Sequence, residues 1–366
     1  MLTTSNSISD SVVRKKINGI NVIYLKVPYD QKMNIFERFL SFLKFMVLST
    51  YHAYKIKNID LVVATSTPLS VGFPAFFLNK INKLPYIFEV RDLWPEVPIQ
   101  MGAIKNKLII NILRYAEKTI YKNSIHVVAL SPGMIEGVLK CGISTEKTSL
   151  IPNMAKIDLF YQRKINYDRV FSFSLKKESF KVIHFGSIGI ANGCMYIIEA
   201  AKLLKNNPDI EFVFIGGGAA ENELSIECQN HNLNNVHFLG NHPLKSVSEI
   251  VNFCDVSIVS FKDLPILYTN SPNKLFDSLS AGRPIILNSN GWTRKLVEKN
   301  KCGFYVDPSC PNQLADKIVF LKNNPALKEK MGKMSRKLAE EKYDKNILCA
   351  NFTNVIKKIQ SVQKLP

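Results

Sequence analysis

Residues 271–284 combine a lysine, a carboxylate and an asparagine in a pattern that suits a phosphate-bearing ligand. They lie between two strand-like runs, and their apolar residues fall at helical spacing, so the pattern predicts a loop followed by a helix. Asn273 and Asp277, four residues apart, would share one helix face near the positive end of the dipole, with Lys274 beside them. The helix end and Lys274 suit a phosphate, and Asp277 suits ribose hydroxyls, so a sugar nucleotide is the predicted ligand.

Three further loops in the second half of the chain carry candidate ligand contacts. Gly186, Ser187 and Gly189 follow a predicted strand and precede a helix, where glycines let the backbone approach a diphosphate. Gly217 ends the next strand, and His242 follows another. For these two residues a turn role without ligand contact is the open alternative. Together the loops predict a nucleotide site at one edge of a sheet.

A second cluster of polar residues lies in the first half of the chain. Residues 88–96, Phe-Glu-Val-Arg-Asp-Leu-Trp-Pro-Glu, follow a strand and precede a proline-interrupted loop. They are therefore predicted at the carboxyl edge of a parallel sheet, where open α/β sheets bind ligands. Asp92 either forms an ion pair with Arg91 or takes part in a binding cleft, and we favour the cleft. The hydroxyls of residues 65–67 either cap the next helix or line the same cleft.

The order of elements predicts the architecture that positions these residues. At 366 residues the chain is long enough for two domains, and strand-like runs alternate with helical patterns throughout. This predicts an α/β protein with parallel sheets. A polar stretch without apolar periodicity, residues 161–179, is the predicted linker. The predicted domains are residues 1–165 and 166–343, followed by a final helix in residues 344–366.

The composition limits the possible surroundings and partners. The seven cysteines are odd in number and form no C-x-x-C pair, which predicts reduced thiols in a cytoplasmic protein and no metal site. Residues 1–10 lack an apolar signal core, and no uncharged apolar run approaches the ~20 residues of a membrane-spanning helix. The sequence therefore predicts a protein that does not span a membrane.

The net charge of +18 indicates an anionic partner without identifying it. Residues 35–48 form an aromatic-rich helical pattern with few charges, in the more basic half of the chain. Such a helix either lies in the headgroup region of an anionic bilayer or packs as a core helix on a sheet, and both interpretations stay open. No recognition motif for nucleic acid accompanies the charge, and we predict no nucleic-acid partner.

Residues 272–284 and 91–96 resemble two signatures of the retaining glycosyltransferases with two Rossmann-like domains, the GT-B fold. The likeness is to family 4-like bacterial enzymes that build O-antigen and capsule, and it extends from about residue 21 to residue 358. In that family the donor segment reads roughly Pro-Ser-Lys-Leu-Phe-Glu and holds the second of two carboxylates separated by seven residues. This chain has Asp277 at the second position and Thr269 at the first.

The resemblance implies two Rossmann-like domains that face a cleft, with the last helix crossing back to the first domain. It implies a retaining glycosyltransferase of the hexosyl or N-acetylhexosaminyl type, acting in surface polysaccharide (O-antigen or capsule) biosynthesis. The donor would be a nucleotide sugar, with UDP as the expected nucleotide, and the acceptor a lipid-linked saccharide. Asp92 and Thr269 would be the catalytic positions, with Asp92 orienting the acceptor hydroxyl or the donor sugar.

The resemblance also implies that the nucleotide sugar is a co-substrate and that no other cofactor is needed. No D-x-D-type metal motif is evident. The negative charge of the leaving group would therefore be stabilised by Lys274, helix ends and backbone amides. The protein is expected to be cytoplasmic and peripheral on the inner face of the cytoplasmic membrane. Two alternatives remain: a catalytically inactive GT-B protein that binds a sugar nucleotide or a partner, and a GT-B sugar-nucleotide epimerase.

Two departures from the family pattern motivate the inactive alternative. The family often carries a lysine just before the position of Gly193, where this chain has Asn192. Family members also begin with a strand, a glycine-rich loop and a helix ahead of the segment that matches residues 1–5. We therefore expect that about 35 residues of the first βα unit are missing, and that the chain as written transfers sugar poorly.

Overall fold

The computed structural model describes residues 1–29, 33, 35–164, 167–168 and 172–363. The chain forms two compact units, Met1–Ile151 with Thr353–Pro366 and Pro152–Phe352. Residues 165 and 166, where the sequence places the boundary, lie outside the described residues. The segment after Pro152 belongs to the second unit because its side chains pack there: the Phe160 and Phe185 rings stack with their centroids 6.1 Å apart, and Arg163 donates a hydrogen bond to Ser248.

The first unit contains two sheets of described strands. The three-stranded sheet has the order β1-β3-β2 and the four-stranded sheet the order β4-β5-β6-β7, which is parallel throughout. The strands are β1 Leu2–Thr4, β2 Val12–Ile17, β3 Ile20–Leu25, β4 Val62–Thr65, β5 Tyr86–Val90, β6 His126–Ala129 and β7 Thr148–Leu150. The helices are α1 Ile35–Tyr54, α2 Gly72–Asn82, α3 Glu96–Gln100, α4 Lys107–Asn123 and α5 Pro132–Lys140.

One pair of strands in the first unit is antiparallel. Strands β2 and β3 form an antiparallel hairpin in which Ile17 pairs with Ile20. Asn18 and Gly19 connect them with φ angles of 49° and 85°. A two-residue Asn-Gly turn with positive φ at both positions matches the right-handed twist of the flanking strands, so this sequence favours a tight hairpin.

The second unit is built around one parallel six-stranded sheet with the order β10-β9-β8-β11-β12-β13. Its strands are β8 Phe180–Phe185, β9 Ile210–Ile215, β10 Val236–Phe238, β11 Val256–Val259, β12 Ile285–Leu287 and β13 Gly303–Tyr305. Its helices are α6 Met195–Leu203, α7 Glu221–Asn230, α8 Leu244–Phe253, α9 Asn273–Ser280, α10 Trp292–Lys299, α11 Pro311–Asn323 and α12 Pro325–Leu338. A π-helical turn, Ala339–Tyr343, and α13 Lys345–Gln363 follow.

The order of the second sheet determines where a ligand can bind. The chain enters at β8 in the middle, adds β9 and β10 on one side, and then returns to place β11 on the other side of β8. The loops after β8 and β11 therefore leave in opposite directions and open a crevice at the carboxyl ends of these strands. Both predicted donor segments, the loop at Gly186 and helix α9, follow these two strands.

Helix α9 begins and ends within one residue of the bounds that its sequence predicts. Gly282 follows it with a φ of +63°, a left-handed conformation that glycine adopts without steric cost. All residues of α9 from Lys274 to Ser280 are buried. The hydroxyl of Ser278 donates to the carbonyl of Lys274 at 2.6 Å, so even this polar residue needs no water. None of the helices that the structure describes combines the length and apolarity needed to cross a bilayer.

Candidate functional site

Three loops at the carboxyl ends of β8, β9 and β10 are joined by backbone hydrogen bonds. The amide of Ile188 donates to the Gly217 carbonyl at 3.0 Å, and the amide of Gly216 donates to the Gly240 carbonyl at 2.8 Å. Among the described residues, the amides of Ser187 and Gly189 donate to no acceptor. These two amides lie in the exposed turn of the predicted diphosphate loop and are available to an anion.

Close backbone approach explains the glycines of the second loop. Gly216 has a φ of +124°, and a Cβ atom there would lie 1.9 Å from the carbonyl oxygen of Gly186. Gly217, a predicted ligand contact, faces side chains: a Cβ there would lie 3.0 Å from Asn241 Nδ2 and 3.2 Å from Glu221 Oε2. Gly216 thus allows the two loops to pack closely. Gly217 lies beside the polar side chains of Asn241 and Glu221.

Lys274 lies in the crevice with neutral partners. Its Nζ is 3.1 Å from His184 Nε2 and 3.0 Å from Asn192 Oδ1, and no carboxylate pairs with it among the described residues. Only 9% of the residue is exposed, and burial lowers the pKa of its ammonium group to about 8. The Gly186 loop is adjacent, because a Cβ there would contact Lys274 Cε at 3.7 Å. A buried cation without a counterion provides a strong attraction for an anionic ligand.

His184 stays neutral beneath this lysine. Burial, followed by the charge of Lys274, lowers the pKa of its imidazole well below the ordinary value. Its Nε2 faces the lysine, and its Nδ1 has no hydrogen-bond partner in the described residues. Nε2 also lies 3.4 Å from the carbonyl oxygen of Ser187, and it accepts from Lys274 in the tautomer that carries the proton on Nδ1. His184 therefore orients the ammonium group without adding positive charge.

The predicted ribose ligand, Asp277, already has a partner. Lys156 Nζ lies 3.0 Å from each of its carboxylate oxygens. Only 4% of Asp277 is exposed, and burial raises the pKa of its carboxyl while Lys156 opposes that rise. Asn273, four residues earlier, is exposed at the start of α9. Asp277 is thus a buried carboxylate whose charge depends on one lysine.

Two other predicted residues make local contacts. The ring of His242 bonds to the carbonyl of Leu239 through Nε2 at 2.9 Å and packs edge-on against Phe173, with ring centroids 5.3 Å apart. The hydroxyl of Thr269 donates to the Ile266 carbonyl at 2.7 Å, within the 3-10 turn Pro265–Thr269. The ligand contact predicted for His242 and the catalytic role predicted for Thr269 remain predictions.

The polar cluster of the first unit lies at the carboxyl end of β5, as its sequence predicts. Asp92 accepts a hydrogen bond from the hydroxyl of Thr67 at 2.9 Å, and burial raises the pKa of its carboxyl. The ion pair of Arg91 is with Glu89, at 4.0 Å between Nη1 and Oε2, rather than with Asp92. Asp92 is therefore held by a neutral donor, which leaves its second oxygen for another group.

The helix-capping interpretation of residues 65–67 is wrong. The hydroxyl of Thr65 donates to Glu89, and the hydroxyl of Ser66 accepts from the amide of Arg91 at 2.9 Å. The following 3-10 turn has Pro68 as its N-cap and no side-chain cap bond. These side chains bond across the sheet because parallel strands β4 and β5 end side by side.

Three residues that position the site were not predicted from the sequence: His184, Lys156 and Asn153. The position of His184, two residues before the Gly186 turn on a buried strand, was the available signal. Lys156 and Asn153 lie more than 110 residues before their partners in the chain, and no local pattern links them to α9.

We expect Asn153→Ala to lower the free energy of unfolding by about 1 kcal/mol, the value of one hydrogen bond. The side-chain amide of Asn153 donates to the Ser271 carbonyl at 2.5 Å and so fixes the loop before α9. Denaturant unfolding measures the change. Asn312→Ala, at an exposed position of α11, is the matched control. Equal stability of the two variants would show that Asn153 does not hold the loop.

The segment that contains the loops and α9 matches a known protein family. Residues 168–338, which contain the loops and α9, match the family model described as glycosyl transferases group 1. Spore coat protein SA of Bacillus subtilis is 27% identical over 193 residues, which are 48% of this chain and 48% of that protein. The chain spans about half the length of the first curated relatives it matches.

Solved structures extend the likeness to nearly the whole chain. Sucrose-phosphate synthase from Thermosynechococcus elongatus superposes with a TM-score of 0.80 at 18% identity, over 99% of this chain and 89% of that one. Anabaena HepE in complex with UDP and glucose superposes with a TM-score of 0.72 at 17% identity, over 93% and 86%. The predicted fold class is confirmed: the protein is an α/β protein with parallel sheets and the GT-B fold.

Proposed function

We propose that the protein is a retaining glycosyltransferase that transfers a hexosyl or N-acetylhexosaminyl group from a UDP-sugar. The acceptor is a lipid-linked saccharide in the biosynthesis of a surface polysaccharide such as O-antigen or capsule. The single observation that carries the proposal is Lys274, a buried cation with neutral partners at the start of α9. A diphosphate supplies the missing negative charge, and the exposed turn at Ser187 supplies backbone amides.

The comparisons support the part of this proposal that concerns glycosyl transfer from a nucleotide sugar. The match to glycosyl transferases group 1 covers the second unit from residue 168 to residue 338, and one neighbour of similar fold was solved with UDP and glucose. In the proposed chemistry, the bond between the anomeric carbon and the diphosphate oxygen of UDP breaks and the acceptor oxygen forms the new bond to that carbon. The proton of the acceptor hydroxyl passes to the departing diphosphate. Lys274 stabilises the charge that develops on the leaving diphosphate, and Asp92 orients the acceptor hydroxyl or the donor sugar.

Titration calorimetry with UDP, ADP and GDP, alongside turnover with a panel of UDP-sugars and a lipid-linked acceptor, tests the proposal. Binding of UDP in preference to the purine nucleotides, with release of UDP on turnover, supports it. Binding without turnover would favour a catalytically inactive sugar-nucleotide-binding protein. Absence of UDP binding contradicts the donor site itself.

We expect Asp277→Asn to weaken uridine and UDP alike, by about fivefold, because a carboxylate accepts from both ribose hydroxyls and an amide offers one acceptor oxygen. The change is nearly isosteric, so cooperative melting should persist. Calorimetry with both ligands measures the effect. A variant that loses its melting transition would identify Asp277 as a structural residue instead.

We also propose a peripheral position at the cytoplasmic face of the membrane, based on the surface of α1. Phe36, Phe39 and Val47 are each more than half exposed, whereas Ser41 and Ser49 are buried. A core helix would bury its aromatic face, so the core-helix interpretation disagrees with this exposure. An outward apolar face on a basic protein suits the headgroup region of an anionic bilayer.

The protein is expected to co-sediment with anionic vesicles and not with neutral ones, and less at physiological salt than at low salt. The double substitution F36S/F39S should abolish binding because it removes the inserted aromatic rings. Ile226→Ser removes an exposed apolar residue from α7 and serves as the control. Vesicle binding that is independent of lipid charge would contradict the peripheral role. So would an equal loss of binding in F36S/F39S and Ile226→Ser.

A further inference from the structure

Lys156 and Asp277 form an ion pair that joins two distant parts of the second unit. Lys156 lies in the segment between Pro152 and Phe160, and Asp277 lies 121 residues later in the middle of α9. The side chain of Lys156 is 34% exposed and that of Asp277 only 6%. The lysine therefore reaches from the partly solvated side to a carboxylate that water scarcely contacts.

The geometry leaves part of the carboxylate unused. A carboxylate has about four acceptor sites, and Lys156 occupies one on each oxygen at 3.0 Å. Among the described residues no other side chain donates to Asp277. Each oxygen therefore keeps one acceptor site, which matches the two neighbouring hydroxyls of a ribose.

We propose that Lys156 is a positioning residue of the donor site, which keeps Asp277 ionised and aims its two oxygens at the ribose of the nucleotide. This inference rests on the proposed function, because it assigns Asp277 to the ribose. Removal of Lys156 leaves a buried carboxylate without a counterion, and such a group takes up a proton more readily. A protonated carboxyl can no longer accept from both ribose hydroxyls.

Three other charged residues near α9 contact groups other than Asp277. Arg336 of α12 donates to the carbonyls of Phe160 and Ser280 and pairs with Glu340. Lys274 contacts His184 and Asn192. The ring of Tyr343 packs on Phe276, and Asp344 accepts from the amide of Asn346. Within the described part of the chain, Lys156 is the cation that contacts Asp277 directly.

Calorimetric titration with uridine and with UDP from pH 5 to pH 8 tests the proposal on Lys156→Met, Lys156→Arg, Asp277→Asn and the double variant K156M/D277N. Lys345→Met is the control, because it breaks the exposed pair of Lys345 with Asp158 in the same region. Thermal melting checks the fold of each variant. Lys156→Gln replaces Lys156→Met if the latter does not melt cooperatively.

We expect Lys156→Met to weaken uridine and UDP by a common factor of about threefold to fivefold at pH 7, no more than Asp277→Asn does, and to move the acid loss of binding to higher pH. Lys156→Arg should restore both the affinity and the pH dependence of binding, and Lys345→Met should change neither of them. The double variant should bind no more weakly than Asp277→Asn alone, because Lys156 acts through Asp277.

Three results would overturn the inference: tighter or unchanged binding in Lys156→Met, an unshifted pH profile, or additive effects in the double variant. If Asp277→Asn binds uridine normally while the wild-type protein binds UDP, Asp277 does not contact the ribose. The inference about Lys156 then fails as well. A wild-type protein that binds no UDP would instead refute the proposed function.

Discussion

Lys274→Ala is expected to weaken UDP binding by about 10- to 150-fold, the equivalent of about 1.5–3 kcal/mol for a hydrogen bond to a charged group. Uridine binding should stay nearly unchanged, because Lys274 faces the Gly186 turn and Asn192 rather than Asp277. The ratio of the two dissociation constants, measured by calorimetry, therefore isolates the contribution of the diphosphate.

Lys299→Ala is the matched control for this measurement. Lys299 is an exposed lysine at the end of α10 in the same unit, so its removal lowers the net charge equally without touching the crevice. Equal weakening of uridine and UDP by Lys274→Ala would contradict the assignment of this lysine to the phosphates. If the two alanine variants weaken UDP binding equally, the loss of affinity is due to the change in overall charge.

UDP affinity is expected to fall about tenfold per pH unit above pH 8, until the pKa of the bound state is reached. Burial lowers the pKa of Lys274 to about 8 in the ligand-free protein, and a bound diphosphate favours its charged form. Above pH 8 the free site has lost the proton, and binding must restore it. Calorimetry at pH 8.5 in two buffers of different ionisation enthalpy should therefore show proton uptake.

Two controls separate this titration from other alkaline effects. Uridine, which lacks phosphate, should show no matching fall between pH 7 and pH 9. Lys274→Arg keeps its charge throughout this range, so its UDP affinity should be independent of pH there. A parallel fall for uridine, or a fall that persists in the arginine variant, would show that another group titrates.

Helix α9 and strand β5 could be predicted to within a residue because their signals are local. Apolar spacing and Gly282 fix the end of α9, and a short apolar run fixes β5 at Tyr86–Val90. The hairpin at Asn18-Gly19 was missed although its turn is the strongest short signal for a hairpin. The Asn-Gly pair between two apolar runs was present in the sequence, so the hairpin could have been predicted.

The side-chain partners of the site could not be predicted in the same way. Capping is a local rule, and it assigned the hydroxyls of residues 65–67 to the nearest helix, whereas their partners lie 24 or 25 residues further on. Lys156 meets Asp277 across 121 residues. Such pairs depend on which strands become neighbours, and that order follows from the whole fold rather than from any window of sequence.

The burial of α9 from Lys274 to Ser280 affects how ligands can be identified for this protein. Binding segments often belong to the least stable parts of a fold, but the amides of α9 should exchange with solvent only when the second unit opens as a whole. A nucleotide held by Lys274 and Asp277 then stabilises the entire unit by mass action. A panel of nucleotides and sugar nucleotides can therefore be ranked by the rise in melting temperature, with no acceptor and no assay of turnover.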